Sequence, residues 1–314
     1  MEAGVGIVKL IYNGTDIYDS VTVKSARIST HDGRMSDTVK MTFANAANTW
    51  NKWDGRSGDT LRVIDEEIDT GTLTVNEFRT YGDYADIYAI AMPRSMKERR
   101  TKTWSSVRLY EVVAEIAKRN GLDANVSGVA DRLYPALAQR NETDAAFLQR
   151  LCTLEGAAFV VWDGTLTVYD QLDREQSGAT GTVYILPEDG FAYSDNRAAM
   201  YRAAELVCGT VRGAYTDTTV DGDRVLRITS GVTASTDGEA GRFARGLLRD
   251  ANKGVMTGSF TVKLKRSLAA GSVVNISNAR AGAWNGTVVL TDVHHHLARE
   301  QTTATFRRVF LEGY

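Results

Sequence analysis

The strongest constraint on this chain's fold is a short pattern that occurs twice. Gly58-Asp59-Thr60-Leu61-Arg62-Val63 is followed by Gly71-Thr72-Leu73-Thr74-Val75. Far downstream, Gly271-Ser272-Val273-Val274-Asn275-Ile276 is followed by Gly286-Thr287-Val288-Val289-Leu290. A glycine leading into alternating apolar residues reads as a strand leaving a turn, and two in succession read as a hairpin. One such hairpin near the end of each β-rich region points to two related β-domains flanking a different insert.

The first β-domain is expected over 1–95. Ile7-Val8-Lys9-Leu10-Ile11-Tyr12 runs into Asn13-Gly14, which suits a tight hairpin turn. A polar turn at His31-Asp32-Gly33-Arg34 separates Ala26–Thr30 from Thr38-Val39-Lys40-Met41-Thr42-Phe43. In that last stretch apolar and polar residues alternate strictly, so one face packs on a core. Short strands at this spacing argue for a small barrel or sandwich.

The period changes over 96–180. Leu109, Val112, Val113 and Ile116 form one helical stripe, with Ser105 and Ser106 as N-cap candidates and Gly121 as a left-handed stop. A second helix opens at Asn141 or Thr143, buries Phe147, Leu148, Leu151 and Leu154, and ends at Gly156. Phe159–Trp162, Asp163-Gly164 and Thr165–Tyr169 make a hairpin. Two helices and a hairpin form a small α+β insert, with Gln171–Thr180 read as a polar linker. The second β-domain is expected over 181–314, with a helix near 239–252 and a last strand over Thr303–Phe310. Two of the three prolines, Pro93 and Pro187, fall near these cuts.

The fold class is therefore mainly β with an α+β insert. A formal net charge of -2 gives no global attraction to nucleic acid or anionic lipid. No apolar run is long enough to span a bilayer, so no membrane insertion is expected. Met1-Glu2-Ala3-Gly4 lacks the basic and apolar regions of a secretory signal, which places synthesis and assembly in a cytoplasm. Cys152 and Cys208 could form one disulfide, but two buried thiols fit a cytoplasmic protein better. No Cys-x-x-Cys, P-loop, dinucleotide fingerprint or Gly-x-Ser-x-Gly elbow occurs.

Several residues invite a sharper reading. His294-His295-His296 lies on a strand, so His294 and His296 share one face and could bind zinc. No carboxylate or cysteine at ligand spacing completes a set, and a polar strand face is the alternative. Asp65-Glu66-Glu67 could suggest a glycosidase acid pair, but it falls at a turn, where solvated charge is the norm. Lys97–Lys102 is basic and reads as a solvated linker or an interchain salt-bridge strip rather than a nucleic-acid contact. Trp50 and Trp53 fit a core or barrel mouth better than a sugar platform. No catalytic, cofactor-binding or metal residue is assigned, and no cofactor is expected.

The order of parts resembles the baseplate hub family of phage tails and tail-like injection systems. That family includes the late-control protein D of temperate phages, and its fold also forms the N-terminal part of type VI secretion spike proteins. The resemblance lies in Gly58–Val75, in Trp104–Tyr169 and in Glu239–Phe310. The middle stretch carries Ile116-Ala117-Lys118-Arg119-Asn120-Gly121-Leu122, Gln139 and Phe147-Leu148-Gln149-Arg150-Leu151, and is the most specific.

The resemblance implies two tail-tube-like β-barrel domains per chain. It also implies a homotrimeric ring that adapts a sixfold tail tube to a threefold central spike. The implied partners are the spike, the tube or tube-initiator protein and other baseplate proteins, in the baseplate of a virion tail. The chain stops soon after its last strand, so no C-terminal spike or lysozyme module is expected. The competing reading is a tail module that binds or hydrolyses cell-wall peptidoglycan.

Overall fold

The computed structural model describes residues 7–33, 35–280 and 284–309. Met1–Gly4, Arg34 of the expected turn and Phe310 of the expected last strand lie outside them.

The first region is a run of antiparallel strands: β1 (Ile7–Tyr12), β2 (Thr15–Asp16), β3 (Val23–His31), β4 (Thr38–Ala44), β5 (Thr60–Asp65), β6 (Leu73–Tyr81) and β7 (Tyr84–Ile90). The short helix α1 (Thr49–Lys52) precedes β5. Asn13 and Gly14 both take positive φ, as a two-residue hairpin between β1 and β2 requires. The sheet order is β3-β4-β7-β6-β5-β1-β2. Leu10 of β1 and Ile28 of β3, far apart in that order, pack in one cluster around fully buried Trp50, so the sheet curls on itself. Among the described residues no ladder joins β1 to β3.

The insert comprises β8 (Arg99–Arg108), α2 (Leu109–Arg119), β9 (Asp123–Ser127), β10 (Leu133–Thr143), α3 (Asp144–Glu155), β11 (Ala157–Trp162), β12 (Thr165–Asp170) and α4 (Gln171–Gln176). Ser105 and Ser106 are strand residues rather than caps. Ser105 pairs with Ala136, and the Arg108 N–H donates to Glu111 Oε2 at 2.7 Å as α2 begins. Cross-strand pairing with β10 thus outweighs the local capping preference. Thr143 caps α3 by accepting the Ala146 N–H, and Gly156 ends it at φ 71°. Gln171–Gln176, read as linker from its polarity, is helical because Asp170 caps it and Glu175 is drawn into the interior.

The rest of the chain forms β13 (Thr182–Ile185), β14 (Gly190–Asp195), β15 (Ala203–Cys208), β16 (Val211–Thr216), β17 (Val225–Ile228), α5 (Asp237–Asn252), β18 (Met256–Lys263), β19 (Val273–Asn278), β20 (Gly286–His296) and β21 (Gln301–Arg308). β15, β16 and β17 make a separate small sheet against α5. Ala204, Leu206, Phe243 and Leu248 from these elements share a core with Val113, Phe147 and Leu151 of the insert. A second cluster, with Phe260, Leu290 and Phe306, fills the remaining β-region.

The two β-regions are built alike. Taken in chain order, β1, β3, β4, β5, β6 and β7 correspond to β13, β14, β18, β19, β20 and β21. Both sets stack as second-third-sixth-fifth-fourth-first. Leu61 pairs with Leu73 as Val274 pairs with Val288, and Thr60 with Thr74 as Val273 with Val289. Each long strand carries its bulge at the same point, after Val75 in β6 and after Leu290 in β20. The correspondence fails at the first strand: β1 runs antiparallel to β5, whereas β13 runs parallel to β19.

Candidate functional site

No catalytic constellation emerges when the singled-out residues are placed. His295 is buried, with Nε2 2.9 Å from the Leu268 carbonyl and Nδ1 3.0 Å from the Thr302 hydroxyl. The Leu268 carbonyl can only accept, so Nε2 carries a proton, while the Thr302 hydroxyl, which also accepts the Lys265 N–H, satisfies Nδ1. His295 thereby has both ring nitrogens satisfied, and burial lowers its pKa. His294 and His296 face away from it. Burial, then the Arg27 charge, brings His294 down to about 4, and the same two causes lower His296. Among the described residues no three His, Cys, Asp or Glu side chains are grouped to hold a metal ion.

Asp65 is not solvated, contrary to the turn reading. It ends β5, is buried, and accepts from Arg266 Nε at 2.7 Å, tying the first β-region to the loop before β19. Glu66 remains exposed. Arg99–Lys102 of the basic run is strand rather than linker, while Lys97 ends a 3-10 turn. Arg100 reaches Glu98 at 2.8 Å, and Lys102 pairs with Glu115 while lying 5.2 Å from the centre of the Trp104 ring. Trp50 is core, and Trp53 stacks edge-on against it while 40% exposed. Cys152 and Cys208 are free thiols. Burial pushes the Cys152 thiol up to about 12, so it is inert as a nucleophile.

What the fold does bring together is a seam. β20 is divided lengthwise. Residues before its bulge pair with β19, and residues after it pair with β3 of the first β-region, while β21 runs along its other edge. Across the seam Asp292 lies opposite His31, His294 opposite Ser29 and His296 opposite Arg27. His31 Nδ1 is 2.7 Å from Asp292 Oδ1, and His294 Nδ1 is 2.9 Å from the Ser29 hydroxyl. The His31 hydrogen bond, followed by the hydroxyls of Thr305 and Thr291, holds Asp292 at about 2. Ala26, Ile28 and Val293 fill the inner side of the seam and are buried. The two β-regions thus form one continuous 13-stranded sheet.

A groove of about 760 Å³ runs beside the seam, between the outer face of the sheet (Arg27, Lys40, Tyr88) and α3 (Ala145, Gln149). Among the strand edges left open in the described residues are those of β14 and of the end of β6. β14 ends the sheet order and pairs with β18 alone. Residues Glu77–Tyr81 of β6 pair with β7 on one side, while β5 has already left their other side. Neither the seam nor these edges was singled out from the sequence. The signal was there in the paired Gly-x-apolar hairpins, which imply that a strand used in one repeat has a counterpart in the other.

Comparison with known proteins adds a family. A sequence model of the family described as phage tail baseplate hub (GPD) matches residues 89–301, more than half of the chain. A probable baseplate hub protein of Escherichia phage 186 is 29% identical over 53% of the chain and 40% of its own length. The chain therefore spans less than half of that curated relative. A tail protein from Neisseria meningitidis MC58 superposes with a TM-score of 0.74 at 13% identity, covering 96% of both chains. A type VI secretion system component from E. coli superposes with a TM-score of 0.59 at 14% identity, covering 98% of this chain and 78% of its own. At such identities the superpositions establish the fold, including the first β-region that the family match leaves largely uncovered.

Proposed function

The chain belongs to the phage tail baseplate hub (GPD) family, and on that premise we propose that it is a structural ring subunit rather than an enzyme. Three copies form the ring, each presenting two related β-units. The six units of the ring meet a sixfold tail tube on one side and a threefold spike on the other. The observation that carries this reading is the duplicated strand order, with its matched register and matched bulge, in the two β-regions. A threefold assembly of singly folded units offers three equivalent surfaces, and a duplicated chain offers six nearly equivalent ones without extra subunits. The partners are the spike, the tube or its initiator and other baseplate proteins, and the place is the tail baseplate of a virion or related particle. Function then resides in surfaces and strand edges, with no cofactor.

The test is the mass of the purified chain by light scattering, with electron micrographs of the same peak, alone and with its spike and tube proteins. A species of three chains with a central hole is expected. A chain that stays monomeric with those partners present, and pellets with peptidoglycan, overturns the reading in favour of a wall-binding module.

A further inference from the structure

We propose that the groove between the outer face of the sheet and α3 is a docking site for an acidic, extended segment of a second protein, its carboxylates held by Arg27, Lys40 and Lys97. One chain carries the whole of this site, so it stands whether or not the ring forms.

The charges are placed for an absent anion. Arg27 of β3 and Lys40 of β4 are direct cross-strand partners, both exposed on the outer face and both lining the groove. Like charges directly opposite one another on a sheet are destabilising, and a carboxylate lying between them turns repulsion into attraction. Lys97, also exposed, lines the same groove. Among the described residues none of the three has an ion-pair partner. The row that holds Arg27 and Lys40 runs on through Tyr88 of β7 before it meets an acid, Glu77 of β6. No aspartate or glutamate is among the described residues that line the groove. The uncompensated charge is felt by its neighbours: after burial, Arg27 is the next cause that lowers the imidazole pKa of His294 and of His296.

The walls add an apolar component. Ile90, Met92 and Phe159 line the groove as buried residues, and Met35 lines it while 57% exposed. A methionine thioether is flexible and polarizable, and it adapts to the side chain set against it. At about 760 Å³ the groove has room for several side chains. An extended segment in which acidic and apolar residues alternate sends its carboxylates to one wall and its apolar side chains to the other. Single-stranded nucleic acid matches the charge but not the surface, because its bases need exposed aromatic faces to stack on. Apart from two histidines, the aromatic rings lining the groove are those of buried Phe159 and half-buried Tyr88.

The experiment is fluorescence anisotropy on the full chain with a labelled peptide of alternating glutamate and leucine. A lysine–leucine peptide of the same length and a single-stranded oligothymidylate are run beside it. The glutamate–leucine peptide is expected to bind, and more weakly as salt is raised. Lys40→Glu should weaken it by about tenfold or more, because the reversal places a like charge where the carboxylate sits. Lys52→Glu, exposed on α1 and outside the groove, should leave binding unchanged. Lys40→Glu also relieves the repulsion with Arg27, so its thermal midpoint should match or exceed that of the unaltered chain, which separates lost binding from lost fold. Absence of binding by the glutamate–leucine peptide, equal binding by the Lys40→Glu chain, or equal binding of the lysine–leucine peptide overturns the site. Tighter binding of the oligothymidylate than of the acidic peptide, lost in Lys40→Glu, overturns the polypeptide occupant in favour of a nucleic acid.

Discussion

His294 on β20 and Ser29 on β3 meet at 2.9 Å, imidazole nitrogen to hydroxyl oxygen, across a ladder that fuses the two β-regions into one sheet. The strands concerned are separated by most of the chain and by the whole insert. Their pairing therefore closes a very long loop, and the groups that line the seam decide whether that closure holds.

The seam should respond to pH through Asp37 and Asp292. Asp37 is buried and accepts the His31 N–H at 2.8 Å; burial raises its pKa to about 7. Between about pH 4 and 7 the folded chain keeps a proton that the unfolded chain has released, so Asp37 erodes stability as pH rises through that window. Asp37→Asn keeps the acceptor and removes the charge. It should flatten the slope and raise stability at pH 8 by on the order of 3 kcal/mol. Asp292 acts oppositely. Its contribution is present above about pH 4 and is lost as pH falls towards 2. For this partly exposed carboxylate solvent screening trims that contribution to about 1 kcal/mol. Urea midpoints at several pH values decide both, and an unchanged slope in Asp37→Asn sinks the first.

His295 should matter for packing and not for metal. His295→Ala strips a buried carbonyl and a buried hydroxyl of their partner and opens a void, so a loss of about 2–4 kcal/mol is expected. Added zinc should leave the thermal midpoint of the unaltered chain where it was. A rise of several degrees with zinc, abolished by His294→Ala, would restore the metal reading of the histidine run.

Much of this was legible in the sequence, and the losses have a common cause. Period-2 and period-3.6 patterns located the two β-regions, the stripe of α2 and the buried side of α3, because each is set by neighbours along the chain. The Asp163-Gly164 turn was legible for the same reason, both residues taking positive φ. β10 was missed because Gln139 sits at its centre. The sequence shows a polar residue there and not the partners, half-buried Arg119 and buried Asp144, that satisfy it. Asp65 looked solvated because Arg266 lies far away in sequence. The seam was hidden for a related reason: alternation reports which face of a strand is buried and not which strand lies beside it.

Glu175 should be among the most sensitive single positions. Buried in α4, it bridges Arg249 of α5 and Arg307 of β21, reaching Arg307 at 2.6 Å. It thus ties the insert to the second β-region. Glu175→Ala withdraws the shared carboxylate from two buried guanidinium groups, and a loss of about 3–5 kcal/mol is expected. Glu175→Gln retains one acceptor and should cost less. Denaturant titration of the two variants checks the order, and near-equal, small losses would show that the network is dispensable.

Two glycines of α5 should respond to alanine with opposite signs. At Gly246 an added methyl would sit 2.3 Å from the Leu154 carbonyl oxygen and 2.5 Å from that of Thr153, because α5 crosses the end of α3 backbone to backbone. Those oxygens cannot move without unwinding α3. The clash should therefore outweigh the roughly 1 kcal/mol that alanine gains over glycine in a helix, leaving a net loss of about 1–3 kcal/mol. At Gly241 the nearest atom to an added methyl is the Ala214 carbonyl oxygen at 3.7 Å, an ordinary contact. Gly241→Ala should thus stabilise by up to about 1 kcal/mol. Thermal unfolding of the two variants side by side separates close packing from helix propensity. If both gained stability, α5 would not lie on α3 as closely as this interface requires.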